Sequence, residues 1–143
     1  VPVTIDPDNR LRKLGAAFGN PSNRRTAAAR AAAQHLSLIQ NAFAGGGVDP
    51  LSGTSGFWPA KADGSPSVLQ DTGRLLGGIS FEVKAGQYEI GPEPLPYAPV
   101  HQFGDPERNI PQRAFIVMPI PWRIEILTTY AEELTRLAAE SVR

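Results

Sequence analysis

Ile79-Ser80-Phe81-Glu82-Val83-Lys84-Ala85-Gly86-Gln87-Tyr88-Glu89-Ile90 is the stretch that sets the class of this fold. Ile79, Phe81 and Val83 alternate with Ser80, Glu82 and Lys84, the period of a strand buried on one side. Ala85-Gly86-Gln87 is a tight connection into a second short strand, Tyr88-Glu89-Ile90, so the pair reads as an antiparallel hairpin. On its C-terminal side, Gly91 to Pro96 carries three prolines and must be a stiff irregular loop. Tyr97 to Gly104 is compact and aromatic-rich, and Asp105 to Pro111 is a polar loop. Gln112 to Met118 is apolar enough to be a third strand in the middle of the sheet. Pro119 and Pro121 then mark the start of a last helix, from about Pro121 to Val142. Its expected inner stripe is Ile124, Leu127, Ala131, Leu134 and Ala138, with Glu132–Arg136 and Arg136–Glu140 as i,i+4 pairs outside.

On the N-terminal side, Asp71-Thr72-Gly73-Arg74-Leu75-Leu76 reads as a capped single turn of helix. Val48 to Ser67 is a long loop rich in Gly, Pro, Ser and Asp, in which Phe57 and Trp58 are expected to anchor it to the core or to a partner. Before it, Asn23 to Ala44 is an alanine-rich helix whose apolar positions Ala32, Leu36, Ile39 and Phe43 share one face. Gly45-Gly46-Gly47 ends it. Asp8 to Phe18 is a short helix, separated from the long one by Gly19-Asn20-Pro21-Ser22. The expected architecture is α+β: a small antiparallel β-sheet packed against the long N-terminal-half helix and the C-terminal helix, with long Gly/Pro-rich loops. All 143 residues are read as one domain.

Composition narrows the chemistry. Hydrophobic residues make up 41% of the chain, a globular value. No apolar run approaches the roughly 20 residues of a membrane span, and Val1-Pro2-Val3-Thr4 does not open like a signal peptide. The absence of cysteine excludes disulfides and thiol chemistry, and fits a reducing compartment. Net charge is zero, yet six basic residues and no acid lie between Asn9 and Gly47: Arg10, Arg12, Lys13, Arg24, Arg25 and Arg30. This block reads as a nucleic-acid patch, or as a basic helical face that meets water or an acidic face of a neighbouring subunit. The lack of interleaved aromatics favours the second.

Catalytic signatures are missing. There is no phosphate loop and no nucleophile elbow, and Asp49 and Asp63 are too sparse for a calcium site. Of the two histidines, His101 could serve as a general base beside Glu93 or Asp105, but a lone histidine there is more simply a fixed hydrogen-bonding group in a turn. His35 reads as semi-buried packing. Trp58 and Trp122 read as core-edge or subunit-interface residues rather than ligand platforms. No enzyme activity, cofactor or metal is expected.

Three segments carry a resemblance. Leu69-Gln70-Asp71-Thr72-Gly73-Arg74-Leu75 with Ile79, then Tyr97-Ala98-Pro99-Val100-His101-Gln102-Phe103-Gly104, then Ile110-Pro111-Gln112-Arg113-Ala114-Phe115, resemble in order and spacing the motifs of the phage virion-morphogenesis family. That family includes the tail-completion proteins of P2-like and Mu-like phages. Ala114 stands where the family often has proline. The resemblance covers roughly Leu36 to the C-terminus. It implies a structural protein of the virion, made in the host cytoplasm. Such a protein completes or terminates the tail and enables head–tail joining, as a homo-oligomeric ring, commonly a hexamer. Tail tube protein and head-completion or neck proteins are the implied partners, with DNA only passing through the lumen. A neck adaptor on the portal side, and a small DNA-binding protein, remain as alternatives.

The residues implied as structural or interface positions are Gly73, Leu75, Tyr97, His101, Gln102, Phe103, Gly104, Pro111, Arg113 and Phe115. Gly104 is expected to close a turn at positive φ, Tyr97 and Phe103 to lock their loop on the sheet, and Arg113 to grip carboxylates. Arg24, Arg25 and Trp58 are expected at the subunit interface, the arginines against an acidic surface carrying Asp105, Glu107 or the C-terminal helix.

Overall fold

A 24-residue helix, α2 (Pro21–Ala44), is the element on which the others are laid. The computed structural model describes residues 7–61 and 73–142. Before α2 comes α1 (Pro7–Gly19); after it come α3 (Arg74–Gly77), β1 (Ser80–Lys84), β2 (Gln87–Gly91), α4 (Ala98–Phe103), a 3-10 turn (Pro106–Arg108) and α5 (Ile120–Ser141). The fold is α+β. Asp63, the Leu69–Thr72 segment and the expected Asp71 cap lie outside the described residues.

α2 begins two residues before the expected Asn23. Pro21 occupies the first helical position, where its missing N–H is no loss, and the Asn20 side chain accepts from Asn23 N at 3.1 Å. The breaker is therefore a cap. The helix ends at the glycine triplet as expected, with Gly47 N donating to Ala42 O at 2.8 Å and Gly46 and Gly47 at φ 77° and 83°. Ala32, Ile39 and Phe43 are buried and Leu36 half-buried, as the periodicity requires.

β1 and β2 form the expected antiparallel hairpin, with Phe81 opposite Ile90 and Val83 opposite Tyr88. It lies against α2. α5 runs antiparallel along α2: Arg30 approaches Glu133, the Thr129 hydroxyl donates to Gln34, and His35 meets Trp122.

Two expectations fail. The sheet has two strands, not three. Residues 112–118 run outside helix and strand and bend at Ile116, and Arg113, Phe115 and Val117 are buried in alternation with half-buried Ala114, Ile116 and Met118. The period of a strand is there, but side chains rather than a neighbouring strand satisfy this backbone. On α5, the buried residues are Trp122, Ile126, Glu133 and Ala138; of the expected stripe Ala138 is buried and Leu134 half-buried, while Ile124, Leu127 and Ala131 are exposed. Ile124 and Leu127 are 63% and 60% exposed. The helix has apolar residues on two faces, and the larger Trp122 indole takes the core side. Arg136 bonds Glu133 and Glu140, both at 2.6 Å; Glu133 replaces the expected Glu132.

Candidate functional site

The last two motif segments fold into one interlocked unit around the 112–118 segment. Gln102, on α4, is its hub. Its amide oxygen accepts from Phe115 N and Ile116 N, each at 3.0 Å, and its amide nitrogen donates to Ile116 O at 3.0 Å. One side chain thus imitates the edge of a strand. Arg113 N donates to His101 O at 2.8 Å, and Gln112 Nε2 donates to Gln102 O at 3.1 Å. Two further side chains hold the same backbone from below: Trp58 Nε1 donates to Ala114 O at 3.0 Å, and His35 Nε2 donates to Val117 O at 2.7 Å. A buried amide or carbonyl left unpaired costs about 1–3 kcal/mol, so these contacts fix the segment.

Gly104 has φ 76° and ψ 169°, a region open almost only to glycine. A Cβ there would meet Gln112 N at 3.0 Å. The expected turn glycine is therefore also the point of close approach between the two motifs. Leu75 and Phe115 are core residues, 3% and 2% exposed, and join the first motif to the third. Gly73 is left-handed at φ 66° at the start of α3, and Pro111 is exposed.

Arg113 is buried, and among the described residues its partners are carbonyls rather than carboxylates. Nε donates to Pro59 O at 3.0 Å and Nη2 to Ala60 O at 2.9 Å. It ties down the long loop. Trp58 is also turned inward, 7% exposed, with its ring edge-on to Phe43 at 5.1 Å and flat against Gly47. It anchors the loop to the core, whereas Phe57 beside it is 53% exposed. The expected lock of Tyr97 and Phe103 onto the sheet also fails. Phe103 is 74% and Tyr97 37% exposed; buried Leu95 and Ala98, with Gln102, hold α4 instead. Arg24 and Arg25 are exposed near the start of α2, Arg24 lying against Gly86 of the hairpin turn.

His101 does not sit in an acid–base pair. Glu93 is engaged by Arg74 at 3.3 Å and Asp105 by Arg108 at 2.6 Å. The His101 ring stands edge-on to Tyr97, and its buried Nδ1 has no partner. Burial, then the nearby Arg113 charge, lowers its pKa. His35 is a larger finding than its expected packing role. It is 3% exposed and bridges three elements, since Nδ1 accepts from the Tyr88 hydroxyl at 3.0 Å while Nε2 donates to Val117 O. Burial lowers its pKa too, against the raising effect of the Val117 bond. The alanine-rich helix gave no sequence signal for this, because its partners are 53 and 82 residues away.

Above His35, a cleft of about 560 Å³ opens between the hairpin, α2 and α5, walled by Tyr88, Ile90, Met118, Ile126 and Tyr130. Its lining suits an apolar group. Among the described residues, no three His, Asp or Glu side chains are grouped to hold a metal, and no helix is long and apolar enough to cross a membrane. No family model, no curated protein and no solved structure matches the chain.

Proposed function

We propose that this chain is a structural assembly protein of a tailed bacteriophage, which completes or terminates the tail and enables head–tail joining as a ring of identical subunits. The observation that carries the reading is the interlock of the two later motifs, Gln102 accepting from Phe115 and Ile116 and Arg113 N donating to His101 O. Gln102 and Gln112 each bond backbone of the other motif, and the Arg113 side chain bonds backbone of the long loop. Their polar groups hold chain to chain, which is the work of a scaffold. A second support is surface chemistry: large apolar side chains stand exposed on several faces, as in proteins that function in contact with neighbours.

The test is deletion of the gene from its phage, with electron microscopy of the lysate. Full heads beside unjoined or overlong tails are the expected result. Empty heads beside normal tails would move the protein to the neck. Intact infectious particles would overturn the reading.

A further inference from the structure

The cleft above His35 has walls of one kind and a rim of another. Ala28 and Ala31 on α2, Ile126 and Leu127 on α5, with Ile90 and Met118, make the walls apolar. Its volume of about 560 Å³ lies in the range that takes a small molecule. The polar atoms at its base are turned on one another. His35 Nδ1 accepts from the Tyr88 hydroxyl and Nε2 donates to Val117 O.

The rim carries uncommitted donors. Gly86, in the hairpin turn, lies on the lining. A Cβ added there would stand 3.7 Å from Arg24 Nε and 3.9 Å from the Tyr130 hydroxyl, so a cation and an O–H border one spot bare of side chain. Arg123 is on the lining as well. Among the described residues, neither guanidinium has a carboxylate partner and the Tyr130 hydroxyl bonds nothing. No Asp or Glu lines the cleft. Glu89 and Glu133 are engaged by Lys84 and Arg136 instead. Such a cleft selects a guest of the complementary pattern. Hydrocarbon leaves water for the walls, while a carboxylate takes guanidinium N–H groups and a phenol O–H. A cationic guest meets like charge, and a neutral one gains the walls alone.

We propose that this cleft binds an amphipathic monocarboxylate, its hydrocarbon chain lying between α2, α5 and β2 and its carboxylate beside Gly86, against Arg24 and the Tyr130 hydroxyl. Arg123 adds positive potential along the lining. The site goes beyond the assembly reading and does not rest on it.

Calorimetric titration of the full chain with octanoate, octanol and octylammonium tests this. Octanoate should bind, and the other two should bind about tenfold more weakly or worse, with the difference shrinking as salt is raised. Arg24→Gln with Tyr130→Phe should bring octanoate down to the level of octanol. Circular dichroism checks that fold, and Arg24→Gln alone, at an exposed site, should already remove most of the preference. Equal binding of octanoate and octanol would reduce the cleft to an apolar hollow and overturn the proposal. So would no binding of octanoate, or a preference that survives both variants, since the acid would then sit elsewhere. Octanoate binding that appears only on dilution, as sedimentation shows copies parting, would make a second copy the occupant and overturn it as well.

Discussion

Gln102 is the residue on which most depends. Its one amide serves two N–H groups and a carbonyl of the 112–118 segment. Gln102→Ala should destabilise the protein by about 2–4 kcal/mol, read from urea unfolding, since three backbone groups lose their partner together. An unchanged midpoint would show that water replaces the amide. His35 sets the response to acid. Its pKa is depressed in the folded state from the ordinary 6.5, so below that value the unfolded chain binds a proton that the folded chain refuses. Stability is full in neutral solution and falls as pH drops from 6.5 through the lower folded value. His101, lowered in the same direction, adds to the loss. His35→Gln should flatten the slope of melting temperature against pH over that window, and an equal slope in the variant would remove His35 from the account.

At the scale of elements, the end of α2 and the loop beyond it are held as one piece. A Cβ on Gly47 would stand 2.2 Å from the Trp58 ring, at a φ of 83°. Gly47→Ala should therefore cost about 2–4 kcal/mol and lower the melting temperature, because both the strain and the displaced indole act together. The two long helices and the hairpin were legible in the chain, because their partners are local and the 3.6- and 2-residue periods write them directly; the six-residue α4, too short to show a period, was not. Residues 112–118 were not. They carry the alternation of a strand, and alternation reports burial, not what binds the backbone. The reading of α5 failed for a related cause. Ile124, Leu127 and Ala131 form a perfect stripe, yet periodicity cannot say which of two apolar faces meets the core. The site was half legible: the motifs named Gln102, Gly104 and Arg113, but His35 needed partners from distant elements that only folding supplies.

For the whole molecule, the exposed Ile120, Ile124 and Leu127 of α5 bear on solubility more than on stability. Ile124→Lys with Leu127→Lys should leave the melting temperature within about 1–2 °C, since surface substitutions change stability by about 0.5 kcal/mol or less. The same variant should lose any concentration-dependent sedimentation. A large drop in melting temperature would mean that these side chains already pack within the subunit. The charge asymmetry acts at this scale as well. Arg30 is drawn to Glu133 within the chain, so part of the basic N-terminal block is matched internally.

The 112–118 segment also bears on how the sequence can change over generations. A strand in a ladder is held by backbone groups that every residue but proline carries, so its hold survives most substitutions. Here the hold is encoded in the identities of Gln102, Trp58 and His35, none of which belongs to the segment. Mutational tolerance is thereby displaced: the half-buried Ala114, Ile116 and Met118 should accept many apolar replacements, while the three distant positions accept few. A saturation library scored for folded protein should show that inversion, with the segment's security resting on residues as far as 82 positions away along the chain.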